Sequence, residues 1–382
     1  MIMSLQPLVS TESYLSCRND VNPRLSFLRG RGRFQVVYCL PSNVSEIENQ
    51  LIDALIGIQG RGKSASSRQL SEVKQVVEKL EASVGVAEPT TSELIEGRWQ
   101  LMFTTRPGTA SPIQRTFTGV DSFTVFQEVY LQTNDPRVSN IVKFSESIGE
   151  LKVEAAASSA DEKRIIFQFD RAAFNLKFLP FKFPYPVPFR LLGDKAKGWL
   201  DTTYLSKTGN IRISRGSKGT TFVLQKKIDH RQTLLSEIST GTRAAEMVED
   251  FIASNRPAEE DELQLSEGEW QVLWNSKTTT ESPIDNAANG LTGKQIVAEN
   301  GQIKFMTDIL PGIRVLTPGT YVKTGKRSYE LRMDEVAVVM GPFGYPVETG
   351  RVITMEILYS DRRIRISRDC NNIVFVHVRT DG

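Results

Sequence analysis

The sequence predicts a mainly β chain with N-terminal helices, built as two tandem antiparallel β-barrels. Three observations carry that prediction: a long internal duplication, a helical apolar period confined to two stretches, and many short period-two strands elsewhere. Glu96-Gly97-Arg98-Trp99-Gln100 recurs as Glu267-Gly268-Glu269-Trp270-Gln271, and at the same offset Ser111-Pro112-Ile113 and Gly119 reappear as Ser282-Pro283-Ile284 and Gly290. Ile211-Arg212-Ile213-Ser214-Arg215 returns as Ile364-Arg365-Ile366-Ser367-Arg368, and Tyr185-Pro186-Val187 as Tyr345-Pro346-Val347. Each copy is far longer than a solenoid repeat, so each is expected to fold around its own core.

Ser45 with Glu48 spells a capping box, and Ile47, Leu51, Leu55 and Ile58 then share one helical face. After a Gly/Ser break over 57–67, Leu70, Val73, Val77 and Leu80 repeat the stripe, which predicts a helical pair over 45–83. From Leu94 the period becomes two. The segments 123–131, 141–144, 165–169, 199–204, 211–215 and 221–225 are short, rich in β-branched and aromatic residues, and divided by turn formers. A second helical stretch over 231–254 is interrupted at Gly241 and stopped by Arg256-Pro257. An acidic linker, 255–265, then leads to the second barrel, expected over 266–382. The first domain is accordingly placed at 41–228, with its barrel at 94–228, and the second at 229–382.

Composition narrows the function. The formal net charge is +2 over 382 residues, but residues 1–40 carry five Arg and only two acids, a net of +3. That Arg- and Ser-rich, acid-poor start reads as an organelle transit peptide. The rest sums to −1, which leaves no electrostatic case for nucleic-acid binding. Cys17, Cys39 and Cys370, with His230 and His377 as the only histidines, have no metal-ligand spacing, so no metal and no cofactor is expected. No apolar run is long enough to cross a bilayer as a helix, so membrane association is expected to be peripheral.

Gly57-Ile58-Gln59-Gly60-Arg61-Gly62-Lys63-Ser64 matches the spelling of a phosphate-binding loop. An amphipathic helix precedes it where a buried parallel strand is needed, so it reads as a helix–helix connector. There is no Gly-x-Ser-x-Gly elbow and no local Cys–His pattern, and no catalytic residue is assigned. On the last strand, alternation sets Phe375, His377 and Arg379 on one face.

Gly-x-Trp on a first strand with Arg on a late strand is the closing device of small up-and-down barrels such as lipocalins, the guanidinium stacking on the indole. Trp99 would take Arg212 or Arg215, and Trp270 would take Arg365 or Arg368. Of these, Arg215 and Arg368 are assigned to closure and Arg212 to a ligand. A closed barrel of this size holds one small apolar molecule. Asp201, opposite in parity to Leu200, either faces solvent or points into the barrel, where it would pair with an Arg and meet a ligand. The oddest segment is 174–192, where Phe178, Phe181, Phe183 and Tyr185 are spaced by prolines with Lys177 and Lys182 nearby. Proline at that density excludes a central strand. The aromatics either lid the barrel mouth, dip into a lipid headgroup boundary, or cross the core. The second copy's equivalent over 341–346 is much shorter, so loop function is expected mainly in the first barrel.

At this point a resemblance enters. Residues 96–105, Gly198-Trp199-Leu200-Asp201-Thr202-Thr203-Tyr204-Leu205, and the strings 212–216 and 219–224 resemble the plastid-lipid-associated proteins, also called fibrillins, and in particular the tandem-domain type. The likeness covers about 45–228 well and 229–382 more loosely. It implies a lipocalin-like barrel, import into the chloroplast, and residence on plastoglobules or thylakoids. The partners it implies are plastid lipids or isoprenoids, a peripheral membrane or lipid-body surface, and plastid lipid-metabolism enzymes if the chain is a scaffold. A less favoured alternative is an isomerase or cyclase working inside the barrel. Where family members usually carry an acidic residue after Tyr-Leu, this chain has Ser206 to Asn210. The second copy lacks the Gly-Trp-Leu-Asp string, which leaves it without an expected ligand.

Overall fold

A computed structural model describes residues 42–105, 120–145, 147–184, 193–241, 243–277, 286, 291–334, 336–348 and 350–381. The proposed transit segment and the Ser-Pro-Ile echoes lie outside them. Among the described residues, helices α1 (Ser42–Leu55), α2 (Ser67–Glu81), α3 (His230–Thr240) and α4 (Ala244–Ser254) frame the barrels. The expected box at Ser45 is not a cap. α1 already runs from Ser42, and Glu48 instead accepts a hydrogen bond from the Tyr204 hydroxyl at 2.6 Å. The working boxes are Ser66 with Gln69 at the start of α2, and Asp229 with Gln232 at the start of α3. In each, the cap and the third helical residue satisfy one another's backbone amides.

The first barrel comprises β1 (Gly97–Thr104), β2 (Thr124–Tyr130), β3 (Arg137–Ser145), β4 (Gly149–Ser159), β5 (Arg164–Leu176), the short β6 (Phe183–Pro184), β7 (Lys197–Leu205), β8 (Ile211–Gly216) and β9 (Thr221–Gln225). The strands run antiparallel in the order β4-β3-β2-β1-β9-β8-β7-β5, and β4 pairs with β5, which closes an eight-stranded barrel with β6 hung on the end of β5. The second comprises β10 (Gly268–Asn275), β11 (Lys294–Val297), β12 (Gln302–Leu310), β13 (Ile313–Lys323), β14 (Ser328–Met333), β15 (Val336–Met340), β16 (Phe343–Glu348), β17 (Arg351–Ser360), β18 (Ile364–Asp369) and β19 (Val374–Arg379). Pairing of β12 with β13 closes the second ring of eight, leaving the β15–β16 hairpin as its annex.

Each barrel is packed on both surfaces of its closing strands. In β1, Trp99 and Leu101 point into the barrel with Val129, Leu151 and Ile165. A bulge between Leu101 and Phe103 then reverses the parity, so Phe103 faces α1 and α2 with Ile211, Ile213 and Val223. β10 repeats the device, with Trp270 inside, a bulge between Val272 and Trp274, and Trp274 against α3 and α4. The bulge is why one strand serves two cores.

The copies are interlocked rather than strung. Ile56, at the end of α1, is buried among Leu234, Val248, Phe251, Ile364, Ile366 and Val376 of the second copy. Gly57 has φ +78°, and a Cβ on it would fall 2.1 Å from Val378 Cγ1, so only glycine fits both the turn and the contact. Arg231 reaches Asp53 at 2.7 Å, Asp229 at 3.0 Å and Asp361 at 3.1 Å, joining α1, the start of α3 and the β17–β18 turn. Arg363 pairs with Glu72 of α2.

Candidate functional site

Both barrel floors are built from the duplicated strings. Gly97 and Gly268 have φ of +102° and +123°, a bend L-residues rarely adopt, and each turns the chain into its first strand. Two residues on, Trp99 lies inside and donates from Nε1 to the Ile95 carbonyl at 2.8 Å; Trp270 does the same to Ser266 at 3.0 Å. The guanidinium carbon of Arg212 stands 5.0 Å from the Trp99 ring centre, and that of Arg365 stands 4.6 Å from Trp270. Cation–π closure therefore belongs to Arg212 and Arg365, correcting the assignment to Arg215 and Arg368. The reason is parity. Ile211 and Ile213 face the helices, so Arg212 faces the lumen and Arg215 leans outward, where it grips Glu81 of α2 through two hydrogen bonds of 2.8 and 2.6 Å. Arg368 lines an outer groove with Arg256 and Arg327.

The floor of the first barrel continues upward as a polar line. Arg212 donates to Gln127 Oε1, and Gln127 donates to Asn140 at 3.1 Å. Gln127 and Asn140 point inward with Val125, Val129, Val138 and Val142 yet stay partly exposed, so the lumen is open on their side. Burial pushes the Arg212 guanidinium down to about 9. Lys226 also sits 4.5 Å from the Trp99 ring centre and is lowered by burial and by repulsion from Arg212.

In the second barrel, Arg365 donates to Gln295 and is likewise pushed down to about 9 by burial. His377 lies inside, directly opposite Arg365 in the β18–β19 register, and both burial and the Arg365 charge hold it well below the usual histidine range. The expected face of Phe375, His377 and Arg379 is thus the lumenal one. Period-two parity located it, but nothing in the sequence said which face was inside.

Asp201 does not enter the lumen. It shares the outer face of β7 with Trp199 and forms a two-pronged pair with Arg164 at 2.6 and 2.7 Å, while Arg164 also stacks on Trp199 at 4.2 Å.

At the far end of the first barrel, Phe174 turns inward and stacks on Phe144. Beyond it Phe178, Phe181 and Phe183 are 69, 61 and 49 % exposed, standing proud of the mouth beside Ile148 of the β3–β4 turn. Tyr185 lies outside the described residues. The second barrel also has an apolar tip, because Leu310, Met340, Phe343 and Tyr345 are all exposed at the ends of the matching hairpins. The shortness of the loop in the sequence concealed this, since β15 and β16 supply the length in place of prolines.

The phosphate-loop spelling is a connector. It follows α1, the Gly60 amide donates to the Asp121 carboxylate at 2.5 Å, and Arg61 is spent on the Val120 and Phe123 carbonyls. Among the described residues no cluster of three His, Cys, Asp or Glu has metal-binding geometry, and no helix is long and apolar enough to cross a membrane.

Comparison with known proteins bears on this arrangement. The PAP_fibrillin family model matches residues 45–225, ending where β9 ends. Probable plastid-lipid-associated protein 12, chloroplastic, of Arabidopsis thaliana is 62 % identical over 339 residues, 88 % of this chain and 83 % of that protein. Plastid lipid-associated protein 2, chloroplastic, of Brassica campestris is 26 % identical, spanning 47 % of this chain and 68 % of its own. Chromoplast-specific carotenoid-associated protein of Cucumis sativus is 23 % identical over 49 % of this chain and 69 % of its own.

Proposed function

The chain belongs to the PAP_fibrillin family of plastid-lipid-associated proteins, and from that premise we propose a non-enzymatic plastid protein that holds small apolar lipids or isoprenoids and seats itself on plastoglobule or thylakoid surfaces. The observation that carries this reading is the trio Phe178, Phe181 and Phe183, exposed together on a proline-spaced loop at the barrel mouth. Each ring moved from water into an acyl layer contributes about 1.5–3 kcal/mol, enough in sum for reversible docking. Lys177 and Lys182, both exposed, flank the rings in the chain and would meet headgroup phosphates or sugars. The lumen below offers an apolar wall, with Arg212 and Gln127 as the polar end against which an oxygen-bearing ligand would orient. Asp201, tied to Arg164 outside, takes no part in that pocket. Relatives named as chloroplastic, and one named as carotenoid-associated, support the compartment and the apolar ligand class.

The test is flotation of the full chain with vesicles of plastid lipid extract. Replacing Phe178, Phe181 and Phe183 by Ser is expected to lower vesicle partitioning by roughly tenfold or more while leaving the melting temperature nearly unchanged. Undiminished flotation would sink the surface reading, and a collapsed melt would make the loop part of the core.

A further inference from the structure

The second barrel, the copy with the weaker family signature, holds a buried charge that its own residues do not balance. Arg365 is 0 % exposed; one terminal nitrogen serves Gln295, while Nε and Nη1 have no hydrogen-bond partner among the described residues. Two further buried groups in that lumen, Ser367 Oγ and His377 Nδ1, are also without partners. Ser367 is two residues along β18 on the same face, and His377 is the cross-strand neighbour. Among the described residues no carboxylate pairs with the guanidinium to offset the cost of burying it. Orphaned buried donors on an ion are expensive, and stacking on Trp270 relieves only part of that cost.

The first barrel shares an orphaned Nε, on Arg212, but not the second orphaned nitrogen or the orphaned polar neighbours of Arg365. Opposite Arg212 stands Leu224, where Arg365 meets His377; Gln127 faces Asn140, where Gln295 faces Phe305. The polar neighbour has changed sides of the arginine. Above the floor, the inward-facing Phe305 and Ile353 remain partly exposed, so the lumen opens upward along an apolar wall with Met355 and Leu331.

We propose that the second barrel is a receptor for a long-chain carboxylic acid, its carboxylate bridging Nε and Nη1 of Arg365, with the Ser367 hydroxyl donating to the same anion and the acyl chain running up past Phe305 and Ile353. The guanidinium fork fits a two-oxygen anion. With Arg379 already paired to Asp381, the one buried cation beside a neutral imidazole balances one negative charge, which selects a carboxylate over a doubly charged phosphate. The proposal shares the lipid premise of the preceding section but is independent of surface docking, because the acid is taken up as a monomer.

Full-length protein titrated with cis-parinaric acid and with its methyl ester tests this directly. The acid is expected to bind about tenfold tighter than the ester. Arg365→Met should abolish that preference, Arg365→Lys should restore part of it, and Arg164→Met, on the outer face of β5, should leave it within about twofold. Equal affinity for acid and ester overturns the proposal, as does loss of the preference in Arg212→Met with retention in Arg365→Met. Should Arg365→Met not fold, carboxyl-¹³C palmitate bound to Arg212→Met decides. A bound resonance that stays ionised well below the free acid's titration supports the site, and one that titrates as free acid, or no bound resonance, refutes it. Failure of vesicle flotation alongside a retained acid preference would defeat the surface reading alone.

Discussion

In the first barrel Arg212 sees Leu224 on one side and the Gln127–Asn140 line on the other; in the second, Arg365 sees His377 on one side and Gln295 backed by Phe305 on the other. Both arginines stack on the tryptophan of a Gly-x-Trp strand, and both tryptophans are tied to a carbonyl four residues earlier. Duplication has thus kept the part that closes a barrel and exchanged the part that would meet a ligand. A second difference lies outside. Arg215 is anchored to Glu81 of α2, whereas Arg368 has no ion pair among the described residues. Motif loss in the second copy is therefore a poor guide to chemical loss, since strand parity still delivers charged and polar groups to the same floor.

The largest expected effect probes what the copies share. Trp99→Ala and Trp270→Ala should each cost about 3–5 kcal/mol in urea unfolding, as deletion of a fully buried aromatic does. A variant that barely moves would show that the two floors are not equivalent. Next comes the joint between the copies. Arg231→Ala leaves Asp53, Asp229 and Asp361 facing one another without their cation, and is expected to cost about 2–4 kcal/mol and to split the calorimetric transition in two. A single transition after that change would mean that the apolar contact around Ile56 alone couples the barrels.

The smallest effect sharpens the outer difference. Burial opposes ionisation of Glu81, but hydrogen bonds from Arg215 and Thr203 outweigh it and hold the carboxyl below its ordinary value of 4.5. A depressed folded-state value means that the stabilisation is present above the unfolded value and lost as pH falls through the folded one. As pH falls below the ordinary carboxyl value of 4.5, the wild type should therefore lose stability that Glu81→Gln does not additionally lose. Identical acid-unfolding curves for the two proteins would remove the Glu81 anchor from the comparison.

Much of the fold was readable because the patterns are local. Period two, Gly-x-Trp and the paired Ile-Arg-Ile-Ser-Arg strings each specify a strand and its neighbour. What escaped depended on contacts far along the chain. Strand β4 hid in an Ala-rich stretch that alternates only when its inward residues are known, Leu151, Val153 and Ala155. The choice between Arg212 and Arg215 required knowing that the helices cover Ile211 and Ile213. Asp201 could be assigned a side only once Trp199 and Arg164 were found together outside. The apolar tip of the second barrel was invisible because an ordinary hairpin, rather than a run of prolines, presents Phe343 and Tyr345.

The glycine turn after α1 has a consequence in time. Gly57 is covered by Val378 and Ile56 by β18 and β19, so the earliest helix is not fully sheltered until the last strand exists. A chain that emerges N-terminus first, from a ribosome or through a membrane pore, can close its first barrel early. Yet it must carry an uncovered apolar knuckle at Ile56 until β18 and β19 arrive, so the seam between the two copies waits on strands made roughly three hundred residues later.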